Sequence, residues 1–219
     1  MVTLYETRYT GWTVKHFHER WQTEHGGTRS YSWTKKTLQA AGHVTRATRR
    51  GAHRKQRPRT PLPGMMRHQD GSTHEWVSGC QWDLIVTLDD ATTEIYSAFF
   101  VEEEGTLSSF RGLHEVIGTK GLFSSLYADR GSHYWHTDEA GGTVDKLRLT
   151  QGHRALQQMG VTLIPAYSPE ARGRSERAFR TLQDRLPQEL ALAGITEMAA
   201  AHRYLTEQFL PHYNERFMV

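Results

Sequence analysis

Three short stretches of the sequence each carry one acidic residue beside a predicted strand or at the start of a predicted helix. The stretches are RHQDGSTHEW (67–76), SLYADRGSHYW (125–135) and YSPEARGRSERAFRTLQDR (167–185), and the acids are Asp70, Asp129 and Glu176. Magnesium prefers oxygen ligands and keeps several waters, so two or three carboxylates suffice to hold it. Two such ions supply the nucleophile activation and charge stabilisation that phosphodiester transfer needs. The three acids therefore predict metal-dependent cleavage or joining of a phosphodiester backbone.

Each acid also has a simpler interpretation. Asp70 precedes Gly71, and Asp-Gly commonly marks a turn. Asp129 belongs to an Asp-Arg-Gly run that closes a strand equally well, and Glu176 can pair with Arg180 one helical turn away. The surrounding motifs favour the ligand interpretation for all three acids, but sequence spacing does not establish that they converge.

A basic segment lies upstream of these acids. From His25 to Gln69 the sequence has no Asp or Glu and eleven Lys or Arg residues. Because the whole chain carries a net charge of +3, the remainder carries −8. A basic arm joined to an acidic body is typical of a nucleic-acid binder, whereas a disordered, solvated tether rarely excludes acids over such a length.

The composition indicates a folded domain of ordinary size with a small appendage. The 219 residues are 37% hydrophobic and 11% aromatic, which is enough for a core. A single cysteine, Cys80, excludes an internal disulfide framework and a multi-cysteine zinc site, and we expect it to be a small buried apolar residue. No apolar run approaches the ~18 residues of a membrane span, and the start lacks a signal-peptide pattern. We therefore expect a soluble, cytoplasmic protein without a membrane partner.

Residues 1–45 predict a helix-turn-helix. Thr10 or Thr13 caps the first helix, and Ser32 caps the second, which covers WTKKTLQAA. In this motif the second helix faces DNA, although an ordinary helical hairpin fits the same pattern. The residues that the second helix would present to DNA are Thr34, Lys35 and Lys36.

The chain has 13 histidines, but their spacing does not indicate a zinc site. His16 and His18 are two positions apart, so on a helix they point to different faces. We expect both of them, together with His25, at the protein surface.

Beyond a basic, proline-containing linker at 46–66, the sequence predicts a mixed α/β domain at 67–195 and a C-terminal helix and tail at 196–219. Three antiparallel strands come first, and the turn between the second and third explains Asp89 and Asp90. Strands then alternate with helices. The first of these helices has an apolar face formed by Leu107, Phe110, Leu113, His114 and Ile117.

We expect further DNA contacts outside the predicted recognition helix. Basic residues of the linker supply sequence-independent affinity that falls steeply with salt, and arginines around the third acid are candidate phosphate contacts. These residues are Arg49, Arg50, Arg54, Lys55, Arg172, Arg174, Arg177 and Arg180. The alternative for the last four is a face of solvated arginines.

The ordered Asp, Asp, Glu set, the LDDATTEIYSAFF hairpin and the SPEARGRSERAFRTLQDRL helix resemble the DDE transposase and retroviral integrase superfamily. The resemblance covers residues 67–215 and, within the superfamily, is strongest to bacterial insertion-sequence transposases of the ISNCY type. It implies a ribonuclease H-like core, which is a mixed five-stranded sheet flanked by helices. Asp70 would lie on the first strand, Asp129 at the end of the fourth, and Glu176 on the helix after the fifth.

The same resemblance implies a function. Mg²⁺ or Mn²⁺ would be the cofactor, and hydrolytic nicking would free a 3′-hydroxyl at the element end that then attacks target DNA. A homodimer or larger assembly would hold two double-stranded element ends, and the protein would be associated with the bacterial nucleoid. Two alternatives stay open: a DNA-binding remnant of a transposase without activity, and a metal-dependent nuclease without strand transfer.

Two departures from the family pattern stand out. Asp129 and Glu176 are 47 positions apart, more than in many integrases, and a loop or hairpin within 131–152 would absorb the extra length. Relatives also carry more helix-turn-helix sequence before this region and a small β-rich domain after it. This predicts a shortened copy of the family.

Overall fold

The computed structural model describes residues 1–46, 57–137, 142–167 and 173–219, apart from the side chain of residue 146. The chain divides into two compact units, Met1–Lys55 and Gln56–Val219.

The N-terminal unit contains three helices, α1 (Val2–Arg8), α2 (Val14–His25) and α3 (Tyr31–Ala40). The Thr13 hydroxyl accepts a hydrogen bond from the His16 amide and caps α2, as predicted. The cap of α3 is Ser30, whose hydroxyl accepts from the Trp33 amide, and not Ser32. The predicted start of the second helix was therefore two residues late.

The prediction of surface histidines in this unit was wrong for two of the three. His16 and His18 are buried, and His25 is half-buried. The ring of His16 stacks on Trp12, with ring centroids 4.0 Å apart. His18 lies against Thr34 of α3, so aromatic packing and a side-chain hydrogen bond hold the two rings inside the helical unit.

The second unit contains a five-stranded sheet, whose strands are β1 (Arg67–Val77), β2 (Cys80–Asp89), β3 (Ile95–Val101), β4 (Ser125–Ala128) and β7 (Thr162–Pro165). Their order across the sheet is β3-β2-β1-β4-β7. The first three strands pair antiparallel, whereas β4 pairs parallel with both β1 and β7. The predicted mixed five-stranded sheet is confirmed.

The apolar face predicted for the helix after the hairpin, α4 (Thr106–Lys120), is confirmed only in part: Leu113 is buried, and Phe110 and Ile117 are half-buried against apolar residues of the domain. Leu107 is 84% exposed and His114 is also exposed, whereas Leu113, Val116 and Gly112 are buried. A Cβ at Gly112 would lie only 2.5 Å from the Gln69 side-chain nitrogen, so the close approach of a buried polar side chain sets the buried face.

The long gap between the second and third acids folds as a separate hairpin. Strands β5 (Trp135–Thr137) and β6 (Val144–Leu149) form a two-stranded antiparallel sheet, and α5 (Gln151–Gln158) follows. The Arg130 side chain donates to the Gly142 carbonyl at 2.5 Å. The extra residues thus leave the five-stranded sheet uninterrupted.

The last helices are α6 (Gly173–Gln183), α7 (Leu186–Leu192), α8 (Met198–Tyr204), a π-helical turn (Leu205–Phe209) and α9 (Leu210–Phe217). They share one apolar cluster with β1–β3, which includes Trp76, Leu84, Leu182, Leu205 and Tyr213. A second cluster joins β4 and β7 to α4 and α5. Cys80 is half-buried at the rim of the first cluster rather than fully buried.

Candidate active site

Asp70 and Asp129 lie on neighbouring parallel strands. In the register between β1 and β4, His68 is paired with Tyr127 and Gln69 with Ala128. Continuing this register by one residue places Asp70 beside Asp129, which directly follows β4. Because side chains alternate along a strand, Asp129 points to the same face as Tyr127, and Asp70 to the same face as His68. The His68 and Tyr127 rings are in contact, with centroids 5.1 Å apart, so the two aspartates share a face of the sheet.

Helix α6 packs on this face of β1. Near its start, Arg174 donates to Asp90, which also bonds His68. At its end, the Gln183 amide donates to the Ser72 hydroxyl at 2.9 Å. Since His68 and Ser72 lie two residues before and after Asp70, the two contacts flank it along the strand.

Glu176 lies in the first turns of α6, between these two contacts, and its side chain is exposed. It precedes Gln183 by seven positions, which is two helical turns, so both residues are on one side of the helix. The fold thus brings Glu176 to the face of the sheet that carries Asp70 and Asp129.

The two aspartates each accept a hydrogen bond from a nearby backbone amide. Asp70 Oδ1 accepts from the Gly71 amide at 3.1 Å, and Asp129 Oδ1 accepts from the Gly131 amide at 2.9 Å. A Cβ at Gly131 would lie 2.6 Å from the His133 ring and 2.9 Å from Asp129 Oδ1, so the turn requires glycine. Burial lowers the pKa of His133, and the charge of Asp129 opposes this shift in part.

A buried polar network that sequence reasoning missed lies beneath the aspartates. The Tyr134 hydroxyl donates to Gln69 Oε1, and Gln69 Nε2 donates to Thr87 Oγ1 at 3.0 Å and to the Ser109 carbonyl at 3.1 Å. Burial raises the pKa of Tyr134, so its hydroxyl stays protonated as the donor. Gln69 precedes Asp70 and Tyr134 follows Asp129 by five residues, and the network therefore joins the backbone segments that carry both acids.

Glu104 is a second group near the aspartates that was not predicted. A Cβ at Gly71 would overlap the Glu104 carboxylate, so this side chain lies directly against the backbone beside Asp70. The Glu104 amide donates to the buried Asp83 carboxylate at 2.6 Å, which fixes the segment after β3. The run of three glutamates at 102–104 was the only sequence signal for it.

Asp89 and Asp90 do more than form the predicted turn, since both are fully buried. Asp89 pairs with Arg67, and Asp90 pairs with Arg57, Arg174 and His68. These partners neutralise both carboxylates inside the protein. The turn interpretation was therefore incomplete.

The structure corrects two of the predicted DNA contacts. Thr34 is fully buried, and its hydroxyl lies 2.9 Å from His18 Nδ1, so α3 does not present it to a ligand. Arg174 is directed to Asp90 and its side chain is only 14% exposed. Lys36, Arg177 and Arg180 are exposed, and Lys35 is half-buried. The remaining candidates lie outside the described residues: Arg49, Arg50, Arg54, Lys55 and Arg172.

The donor chemistry of the site suits Mg²⁺ or Mn²⁺, because carboxylate oxygens are the ligands these ions prefer. Within the described residues, however, no three His, Cys, Asp or Glu side chains form a group that could hold a metal ion. The two aspartates are neighbours by register, whereas Glu176 does not complete a three-ligand group with them. Separately, none of the helices in the described part of the chain has the length and apolar character that crossing a bilayer requires.

Two curated proteins show what the chain is similar to. It is 33% identical over 180 residues to the putative transposase y4bF of Sinorhizobium fredii, covering 80% of this chain and 38% of the relative. It is 28% identical over 161 residues to the transposase for insertion sequence IS1202 of Streptococcus pneumoniae, covering 74% of this chain and 34% of the relative. The chain thus spans little more than a third of these relatives. No protein-family model matches it.

Solved structures show the same fold. A chain of the simian T-cell lymphotropic virus intasome, in complex with PP2A regulatory subunit B56 gamma, matches with a TM-score of 0.54 at 15% identity, covering 94% of this chain and 68% of that chain. The HTLV-2 integrase catalytic core domain in complex with magnesium, in its trimeric form, matches with a TM-score of 0.52 at 14% identity, covering 68% of this chain and 89% of that chain. At these identities the likeness shows the fold alone. Together, the sequence similarity to two transposases and the integrase-core fold support an assignment to the DDE transposase and retroviral integrase superfamily.

Proposed function

We propose that this chain carries the metal-dependent DNA cleavage and strand-transfer activity of a transposase, with Asp70, Asp129 and Glu176 as its catalytic residues. The observation that carries the proposal is the register of β1 and β4, which puts Asp70 beside Asp129 on the face covered by α6. The similarity to two transposases supports the reaction class.

In this proposal the two aspartates hold the metal, and Glu176 approaches them from α6. Mg²⁺ or Mn²⁺, most simply as two ions, would activate the attacking oxygen and stabilise charge on the leaving oxygen. The network between Gln69 and Tyr134 keeps the two aspartate-bearing segments aligned. Exposed Arg177 and Arg180 on α6 would contact DNA phosphates near the acids.

The substrate would be double-stranded DNA, at element ends and at a target, in the bacterial nucleoid. Transposition joins two ends to one target, so a homodimer or larger assembly on DNA follows from the reaction. The exposed basic residue Lys36 on α3 and the basic linker would add affinity without reading sequence.

The proposal is tested by incubating a labelled DNA duplex with the wild-type chain, Glu176→Gln and Glu215→Gln, in Mg²⁺ or Mn²⁺. Glu215 is the matched control because it is also an exposed helical glutamate, on α9. Nicking by wild type and Glu215→Gln, lost in Glu176→Gln, would support the proposal. Equal metal-dependent nicking by all three proteins would contradict the role of Glu176.

A second candidate is a DNA-binding remnant of a transposase without activity. The absence of a three-ligand group among the described residues favours it. It predicts salt-sensitive DNA binding, no nicking, and no thermal stabilisation by Mg²⁺. A strand-transfer assay with a pre-cut 3′-hydroxyl end would separate a transposase from a third candidate, a nuclease that only hydrolyses DNA.

A further inference from the structure

The buried carboxylate of Asp90 accepts hydrogen bonds from four donors in three separate parts of the second unit. Asp90 is 0% exposed. Its oxygens lie 2.7 Å from His68 Nε2, from Arg174 Nη1 and from the Thr60 amide, and the Arg57 guanidinium also donates to it. Arg174 additionally donates to the Arg57 carbonyl at 3.0 Å. One side chain therefore ties the end of the linker, β1 and α6 to the turn after β2.

Two of these donors stand next to proposed catalytic residues. His68 precedes Asp70 by two residues on β1 and faces the same side of the sheet. Arg174 precedes Glu176 by two residues in the first turn of α6. The backbone segments that carry Asp70 and Glu176 are thus connected through the contacts of His68 with Asp90 and of Asp90 with Arg174.

Apolar packing holds the first turn of α6 less firmly than the rest of the helix. Gly173, Glu176 and Arg177 are exposed, and the buried apolar side chains of the helix begin at Ala178. Ser175 is also buried in this turn, and Arg174 attaches the turn that carries Glu176 to the Asp90 carboxylate and to the Arg57 carbonyl.

We propose that Asp90 is a positioning residue that, through Arg174, fixes the start of α6 and so holds Glu176 toward Asp70 and Asp129. This inference rests on the proposed function for the role of Glu176. Asp90 does not touch the reacting groups, and it acts only through the helix. Removing a residue that does not bind the metal itself, but orients a residue that does, typically lowers activity by about 10–100-fold.

Asp89 provides a matched control one residue away. It is equally buried and pairs with Arg67. Its carboxylate oxygens also accept from the amides of Ala91, Thr92 and Gly64 and from the Thr92 hydroxyl. None of these described partners belongs to α6. Asp89→Asn therefore disturbs a buried ion pair in the same turn without releasing the start of the helix.

The test measures backbone hydrogen exchange of α6 and DNA nicking in four full-length variants: Asp90→Asn, Asp89→Asn, Arg174→Gln and Arg174→Lys. All are compared well below their unfolding temperatures. Amides of residues 177–183 donate within the helix, so their exchange reports whether its first turns are fixed. The Arg174 variants keep the test decisive if Asp90→Asn does not fold.

We expect faster exchange at 177–183 and about 10–100-fold slower nicking in Asp90→Asn and Arg174→Gln. Asp89→Asn should leave nicking nearly unchanged, and any faster exchange that follows from its lower stability should extend over the strands β1–β3 and not be confined to residues 177–183. Arg174→Lys should restore much of both exchange protection and nicking because it keeps a cation opposite Asp90. Unchanged exchange in Arg174→Gln, or an equal increase confined to 177–183 in Asp89→Asn, would overturn the inference. Absence of metal-dependent nicking in the wild type would instead overturn the proposed function, and the catalytic part of this inference with it.

Discussion

Two pairs of aspartates in the same sheet have opposite surroundings. Asp89 and Asp90 follow one another at the end of β2, are fully buried, and are paired with arginine and histidine side chains. Asp70 and Asp129 are 59 positions apart in sequence and meet only because β1 and β4 are neighbours. Asp70 is 9% exposed and Asp129 is half-buried, and each accepts a backbone amide.

The difference separates a structural carboxylate from one suited to bind a cation. A buried carboxylate surrounded by arginines has its charge neutralised within the protein, and removing one partner leaves an uncompensated charge. At the other pair, Glu104 lies against the backbone beside Asp70, where a Gly71 side chain would point, and so on the face opposite the two aspartates. Two neighbouring carboxylates on one face of the sheet can attract a divalent cation, which the first pair does not need.

The largest expected effect is a loss of stability when the buried pair, Asp89 and Asp90, loses a carboxylate. Asp89→Asn should lower the free energy of unfolding by about 3–5 kcal/mol, because it leaves the Arg67 guanidinium buried and unpaired. Urea denaturation followed by tryptophan fluorescence measures this change. A loss no greater than that of Asp70→Asn would remove the distinction between the two pairs.

The next largest effect is on DNA nicking, when Asp70 or Asp129 is changed. Asp129→Asn and Asp70→Asn should reduce metal-dependent nicking by about 100-fold or more, since charge stabilisation by the bound metal is lost. The free energy of unfolding should change by no more than about 1 kcal/mol. Gel-shift titration should show DNA binding retained, and nicking at the wild-type rate would exclude both acids from the active site.

A smaller effect should appear in the pH dependence of stability. Burial by itself raises the pKa of Asp90, but hydrogen bonds from His68 and the Thr60 amide bring it below the ordinary value of 3.8. A carboxyl with a lowered folded pKa stabilises the protein above its unfolded pKa, and this stabilisation is lost as the pH falls below it.

The stabilisation from ionised Asp90 should therefore be lost only below about pH 4. Because Asp90 also raises the pKa of the buried His68, a stability comparison with Asp90→Asn would mix two titrations, and NMR titration of the side-chain carboxyl carbons isolates Asp90 instead. The Asp90 signal, identified by its absence in Asp90→Asn, should still report an ionised carboxyl at about pH 3, and a protonated Asp90 at that pH in the folded protein would contradict the lowered pKa.

The smallest effect compares two arginines of α6. Arg177 is exposed, whereas Arg174 is paired with Asp90. Arg177→Gln should lower the slope of log affinity for DNA against log salt concentration by about 1, and Arg174→Gln should leave the slope unchanged. Equal slopes in the two variants would mean that Arg174 and Arg177 contribute equally to phosphate binding, which would contradict the prediction.

Local signals predicted most of the elements. The antiparallel strands β1–β3, helix α4 and strand β7 lie where alternation and turn residues indicate them. The errors concern which side of an element is buried. Leu107 and His114 were expected on the buried face of α4 but are exposed, whereas Gly112 is buried. The Gln69 amide occupies the space at Gly112, and this contact is 43 positions distant in sequence.

The sequence by itself determined the acids, the glycine turns and the order of strands and helices, because these depend on residues close along the chain. Only the tertiary structure decided that Asp70 and Asp129 are neighbours, that Thr34 is buried, and that Arg174 forms an ion pair with Asp90. The last contact spans 84 positions. A basic residue in a charged motif looks the same in sequence whether it meets DNA or a buried carboxylate, and the distinction arises only when distant strands and helices pack together.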